Sequence, residues 1–139
     1  MQNKFTDQAR RVLEQAAFAA EVNGHCYIGS EHLLLGLIQV EDCLAGKVLL
    51  NNDVTENKVL NLIYQLIAPD CAVSVKEPAV YTPRVKKILV NAGNEAARFK
   101  ADSIGTEHIL IAMLKETDSV ASRLLNTMGV SVKKIYTEL

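Results

Sequence analysis

Apolar residues recur every three or four positions along most of the chain, which is the spacing of one face of an α-helix. Residues that favour the start of a helix precede most of these apolar stretches. The eight predicted helices start at Thr6, Ser30, about Leu44 and near Thr55 in the first half, and at Thr82, Thr106, about Val120 and near Ser131 in the second. The pattern therefore predicts an all-α fold with four helices in each half.

The two halves of the sequence are copies of one another at an offset of 76 residues. Gly-Ser-Glu-His at residues 29–32 matches Gly-Thr-Glu-His at residues 105–108, and we call these two segments the tetrads. The predicted core positions also match, so that Leu37 of the second helix corresponds to Met113 of the sixth. An internal repeat of this kind predicts a pseudo-twofold body in which any site at the tetrad exists twice.

A length of 139 residues suits one domain, and each half alone would bury too little surface to be stable. We predict a single domain over residues 1–139, with a first repeat at 5–67, a second at 81–139, and a linker at 68–80 that contains two of the three prolines. Leu139 corresponds to Ile63, which lies inside the predicted fourth helix. This correspondence predicts that the chain is a piece of a longer protein, and a frayed natural end is the alternative.

Composition narrows the classes of function. The net charge of −1 argues against a nucleic-acid or membrane partner, and no apolar run reaches the length of about 20 residues that spans a bilayer. The three cysteines are scattered and form no Cys-x-x-Cys pair, which is typical of small apolar side chains in a reducing cytoplasm. The three histidines show no metal-binding spacing, so we expect neither a metal nor a cofactor.

Motifs that would indicate catalysis are missing from the sequence. The chain has no Gly-x-x-x-x-Gly-Lys-Ser/Thr phosphate-binding loop and no Gly-x-Ser-x-Gly nucleophile turn. We therefore expect no enzyme activity, and in particular no ATP hydrolysis, within these residues.

The tetrads allow a structural and a functional interpretation. In the structural one, the glycines adopt unusual backbone angles, Ser30 and Thr106 cap their helices, and the histidines pack beside a neighbouring helix. In the functional one, a carboxylate near one helix N-terminus faces the N-terminus of another helix. A ligand with a cationic and an anionic end would fit such a site, built from Glu31 with Thr6 and again from Glu107 with Thr82.

At these residues the sequence resembles the N-terminal domains of Clp unfoldases, the ring-forming ATPases that remodel proteins. The resemblance rests on Phe-Thr-x-x-Ala at residues 5–9, Gly-His-x-x-Ile at 24–28, Tyr-Thr-Pro-Arg at 81–84, and the two tetrads. It covers almost the entire chain, and the Tyr-Thr-Pro-Arg segment is most similar to the C-type Clp proteins. Lys100 and Ala101 depart from the pattern, because the first repeat has Gly24 and His25 there.

The resemblance implies a non-catalytic domain that binds protein substrates and adaptor proteins for a Clp ATPase ring and its protease. In C-type members it further implies recognition of phosphoarginine. Carried over by motif position, Glu31 and Glu107 would hold the guanidinium, and Thr6 and Thr82 the phosphate. Two alternatives remain: a module that docks only adaptors, and a stand-alone accessory protein of a Clp complex.

Overall fold

A computed structural model of the chain describes residues 5–22, 24–25, 27–40, 42–66 and 80–139. Its helices are α1 (Asp7–Val22), α2 (Ser30–Gln39), α3 (Leu44–Asn51), α4 (Glu56–Leu66), α5 (Pro83–Arg98), α6 (Thr106–Lys115), α7 (Val120–Thr127) and α8 (Val132–Glu138). Every helix of the second repeat starts 76 residues after its counterpart in the first. The predicted all-α fold of two four-helix repeats is confirmed. The predicted linker lies outside the described residues except for Val80, so the domain boundaries stay a prediction.

Short polar side chains cap several of these helices, as the sequence predicts. Thr82 accepts a hydrogen bond from the Val85 amide at 3.1 Å, and Ser131 accepts one from the Lys134 amide at 3.2 Å. Cys43 caps α3 in the same way, since its Sγ accepts a hydrogen bond from the Gly46 amide at 3.2 Å. The side chain of Cys43 is buried. These bonds satisfy amides that have no partner inside the first turn of a helix. They help to fix where these three helices begin.

The second helix of each repeat lies at the centre of the core. In α2 the residues from Ser30 to Leu37 are all buried, and in α6 almost all of the matching residues are buried too. Leu37 and Met113 have no exposed surface, as predicted for their apolar stripe. The repeats also interlock, because α2 contacts α7 of the other repeat and α3 contacts α6. The two repeats therefore share one core.

Two short parallel backbone pairings connect the repeats. Strand β1 (Tyr27–Ile28) pairs with strand β2 (Val80–Tyr81), and Phe5 forms a single bridge with Ile104. Each pairing joins the segment before the first helix of one repeat to the segment before the second helix of the other. Because paired parallel strands run in the same direction, α2 and α5 begin side by side, and so do α6 and α1. No helix in the described part of the chain could cross a membrane.

Candidate functional site

In each tetrad, the histidine caps the helix that begins there. The Gly29 amide donates to Nδ1 of His32 at 2.9 Å, and the Gly105 amide donates to Nδ1 of His108 at 2.9 Å. A side chain at the third helical position thus reaches back to the residue before the helix, as in one half of a capping box. The histidines therefore cap their own helices, a role that was not expected from the sequence.

Ser30 and Thr106 bind the opposite repeat instead of capping their own helix. Ser30 Oγ accepts a hydrogen bond from the Ala121 amide at 3.0 Å, and Thr106 Oγ1 accepts one from the Ala45 amide at 3.4 Å. Both amides lie in the first turn of a third helix, α7 or α3. The residues before α2 and α6 are Gly29 and Gly105, so the predicted capping role of Ser30 and Thr106 is wrong. Their hydroxyls connect the two repeats.

The tetrad glycines are required for space rather than for their backbone angles. Gly29 and Gly105 have φ of −95°, an extended conformation open to any residue, which corrects the reason expected from the sequence. A Cβ atom at Gly29 would collide with Oε1 of Glu31 and lie 2.8 Å from its Cδ. At Gly105 a Cβ would collide with Oε1 of Glu107 in the same way. Each glutamate therefore folds back over the glycine that precedes its helix.

The threonines named by the sequence lie next to the tetrads, but across the repeats. The Thr82 amide donates to the Ile28 carbonyl at 3.1 Å, and the Thr6 amide donates to the Ile104 carbonyl at 2.9 Å. Thr82 therefore begins its helix beside the first tetrad, and Thr6 beside the second. The predicted pairing of Glu31 with Thr6 and of Glu107 with Thr82 is wrong, because the parallel backbone pairings cross from one repeat to the other.

The structure thus groups these residues into two related candidate sites. The first site consists of Glu31, Thr82 and the N-termini of α2 and α5, and the second site consists of Glu107, Thr6 and the N-termini of α6 and α1. Each combines one carboxylate with the N-termini of two helices, whose positive ends attract anions, although Pro83 supplies no amide at the start of α5. Each threonine Oγ1 accepts a backbone amide at 3.1 Å, which leaves the hydroxyl proton able to donate to an anion.

Tyr27 distinguishes the first site from the second. Its hydroxyl donates to Oε2 of Glu31 at 3.2 Å, and its ring lies 5.4 Å from the ring of His25. His25 in turn contacts His32 through ring nitrogens 2.8 Å apart, and both histidines are buried. Since Nδ1 of His32 accepts a hydrogen bond from Gly29, its Nε2 carries the proton that is donated to His25.

The second site has a different surrounding. Ser103 stands at the position of Tyr27 and Ala101 at the position of His25, while Phe99 stacks on His108 with ring centres 6.1 Å apart. Glu107 is partly exposed, whereas the exposed fraction of Glu31 is only 1%. Tyr27 is not among the site residues predicted from the sequence. The signal that could have found it is that the two repeats differ at residues 25 and 27, next to a tetrad that differs at one position only.

Tyr81 is a titratable residue near the first site. This residue pairs with Ile28 in the parallel strands and directly precedes Thr82. Burial raises the pKa of the Tyr81 phenol, because an ionised ring would be less well solvated there. The matching residue of the first repeat is Phe5, which does not titrate. The described residues contain no cluster of side chains that could hold a metal ion.

Comparison with known proteins places the chain in a family. Residues 4–128 match the Clp repeat (R) N-terminal domain. The chain is 37% identical over 134 residues to the negative regulator of genetic competence ClpC/MecB of Bacillus subtilis and 36% identical over 137 residues to the chaperone protein ClpB of Oceanobacillus iheyensis. Each alignment covers 96% of this chain and 16% of the relative, so the chain spans about a sixth of the length of these proteins.

Solved structures show the same fold. The N-terminal domain of ClpD from Arabidopsis thaliana superposes with a TM-score of 0.83 at 21% identity, covering 97% of this chain and 94% of that one. The N-domain of ClpV in complex with a VipB peptide superposes with a TM-score of 0.73 at 19% identity, covering 97% and 88%. With its repeated tetrads and the match over residues 4–128, the chain belongs to the Clp repeat N-terminal domain family.

Proposed function

We propose that this chain is the non-catalytic substrate- and adaptor-binding domain of a cytoplasmic Clp ATP-dependent unfoldase, and that it recognises proteins marked by phosphoarginine. The observation that carries the proposal is the doubled arrangement of one carboxylate with two helix N-termini. The ATPase ring and the protease would be partners of the longer protein. The ClpV N-domain solved with a VipB peptide supports peptide binding as the general activity of this fold.

The chemistry of phosphoarginine matches both halves of each site. Its guanidinium presents N–H donors in one plane, and a carboxylate accepts two of them in parallel. Its phosphoryl group is an anion, which the amides at two helix N-termini and a threonine hydroxyl can bind together. Glu31 or Glu107 would take the first group, and Thr82 or Thr6 the second. Arginine lacks the phosphoryl group and phosphoserine lacks the guanidinium, so each would occupy only half of a site.

Isothermal titration calorimetry with free phosphoarginine tests this proposal. We expect binding that is lost in the Glu31→Gln, Glu107→Gln double variant, since glutamine keeps the side-chain volume and removes the charge. Removal of one partner from a shielded charged pair costs about 2–5 kcal/mol of binding free energy. Glu21→Gln, an exposed residue of α1, is the matched control and should bind like the parent.

Two results would count against phosphoarginine as the ligand. One is the absence of binding heat at millimolar phosphoarginine. The other is an unchanged affinity in the double variant, which would show that the tetrad carboxylates do not contribute. Either result would leave adaptor docking as the function of the domain. Arginine and phosphoserine in the same experiment should bind far more weakly, because each offers one of the two charged groups.

A further inference from the structure

We propose that Tyr27 keeps the first site closed, so that a guanidinium ligand binds at the second site first. The inference rests on the proposed function for the ligand, but its physical basis is independent of it. Tyr27 is the one described side chain shown to donate a hydrogen bond to a tetrad carboxylate. The second repeat provides the comparison, because Ser103 occupies the matching position there.

The hydroxyl of Tyr27 competes with the ligand for the same atom. It donates to Oε2 of Glu31, and a guanidinium that binds in parallel fashion needs both carboxylate oxygens. A ligand at the first site must therefore replace this bond before it gains its own. At the second site no such bond from residue 103 is present among the described contacts, and the carboxylate of Glu107 can accept both N–H groups at once.

The ring of Tyr27 adds a steric component. A Cβ atom placed on Gly29 would lie 3.0 Å from Cε2 of Tyr27, so the ring lies over the same glycine as the Glu31 carboxylate. Around Gly105 the three nearest atoms all belong to Glu107. The ring therefore contributes to the 1% exposure of Glu31, while Glu107 stays partly open. A ligand that approaches Glu31 has to move this ring.

His25 and His32 support the ring in its position. Their ring centres lie 5.4 Å and 5.6 Å from that of Tyr27, and the two histidines are joined by a hydrogen bond of 2.8 Å. At the second site Ala101 replaces His25, so this aromatic support is absent along with the tyrosine. The closed state thus depends on a cluster that only the first repeat contains.

Carboxyl labelling tests the closure without any phosphoarginine. The folded protein is treated with a water-soluble carbodiimide and glycinamide, and peptide mass spectrometry follows the amidation of each glutamate. We expect Glu107 to be labelled faster than Glu31 in the parent, and Tyr27→Ser to raise the rate at Glu31 while leaving Glu107 unchanged. Tyr64→Ser removes a highly exposed tyrosine of α4 and is the matched control. Equal labelling of Glu31 and Glu107 in the parent would overturn the proposal.

Phosphoarginine titrations then test the effect on binding, with each site isolated by a Glu→Gln change at the other. We expect the first site to bind about tenfold more weakly than the second, and Tyr27→Ser to remove that difference, because one hydrogen bond to a charged group is worth about this factor. Tyr27→Phe keeps the ring and should give an intermediate affinity. First-site binding that is unchanged or weaker in Tyr27→Ser would overturn the proposal. Absence of binding at both sites in every variant would instead refute phosphoarginine recognition, while the labelling result would still decide the closure.

Discussion

The two repeats have the same helices at the same offset, yet they surround their matched glutamates differently. Glu31 accepts a hydrogen bond from Tyr27, whose ring lies near two buried histidines, whereas Glu107 is partly open and Ser103 occupies the position of the tyrosine. The backbone around both tetrads is nearly the same, with φ of −95° at each glycine. The architecture of the two repeats therefore depends on the helix caps and the core, whereas the access to each carboxylate depends on the residues just before the tetrad.

Truncation of the shared core is the strongest test of the equivalence of the repeats. Leu37→Ala and Met113→Ala each remove a fully buried side chain from matched positions of α2 and α6. We expect each to lower the free energy of unfolding by about 2–5 kcal/mol, because the transfer and cavity terms add. Urea denaturation followed by circular dichroism measures both. Exposed Leu50→Ala serves as the control and should change the stability little.

The urea denaturation curves of Leu37→Ala and Met113→Ala also test whether the two repeats unfold together. One shared core predicts a single transition that moves to lower urea in both variants. A variant that unfolds in two steps, with one repeat surviving the other, would show that the repeats are independent units. That result would contradict the interlocked core described above.

Backbone conformation offers a second and smaller comparison. The second residue after the first helix and the second residue after the third helix have positive φ in each repeat, but glycine occupies only one position of each matched pair. Gly24 and Lys100 have φ of 73° and 56°, and Asp53 and Gly129 have φ of 67° and 72°. We expect Lys100→Gly to stabilise the protein by about 1 kcal/mol, since a side chain in this region costs about that much.

Asp53→Gly should stabilise it less than Lys100→Gly does, because short polar side chains such as Asp tolerate the left-handed region better than Lys. Thermal unfolding of both variants beside the parent gives the ranking. Gly129→Ala is the reverse change at the partner of Asp53, and it should destabilise the protein. Equal or opposite effects of Lys100→Gly and Asp53→Gly would indicate that other contacts of these turns outweigh the backbone term.

The smallest expected difference between the repeats concerns alkaline pH. The folded-state pKa of Tyr81 is raised by burial, so its neutral form stabilises the fold fully below the ordinary value near 10, and this contribution is lost as the pH rises through the folded value. Tyr81→Phe installs the residue found at the matched position 5. We expect the variant to lose less stability than the parent between pH 9 and 11, as measured by urea denaturation. Parallel stability profiles would show that Tyr81 does not contribute.

The sequence predicted the start of most helices because caps and apolar spacing act locally. Thr6, Thr82 and Ser131 accept amides of their own first turns, as their residue types indicate. The crossed pairing could not be predicted in this way. Each repeat contains every element of a site, and a duplicated pattern is equally compatible with pairing inside one copy or between copies. Only the packing of α2 and α3 against the other repeat decides between them.

The glycines and the tyrosine illustrate two further limits. A glycine before a helix suggests unusual backbone angles, but Gly29 and Gly105 are needed because a carboxylate folds over them, and this contact depends on side-chain rotamers. Tyr27 is not a residue type that marks an anion or guanidinium site. Its role follows only from the distance between its hydroxyl and Glu31.

The hydroxyls of Ser30 and Thr106 show how such a chain could have arisen. Each accepts an amide from the other repeat, and each site also takes its two helix ends from different repeats. Two separate copies of an ancestral half-length chain could exchange the same bonds around a true twofold axis, as identical subunits do in an isologous dimer. Fusion of two such genes would preserve the exchanged hydrogen bonds. The two copies would then no longer need to have the same sequence. One carboxylate could then become covered while its twin remained accessible.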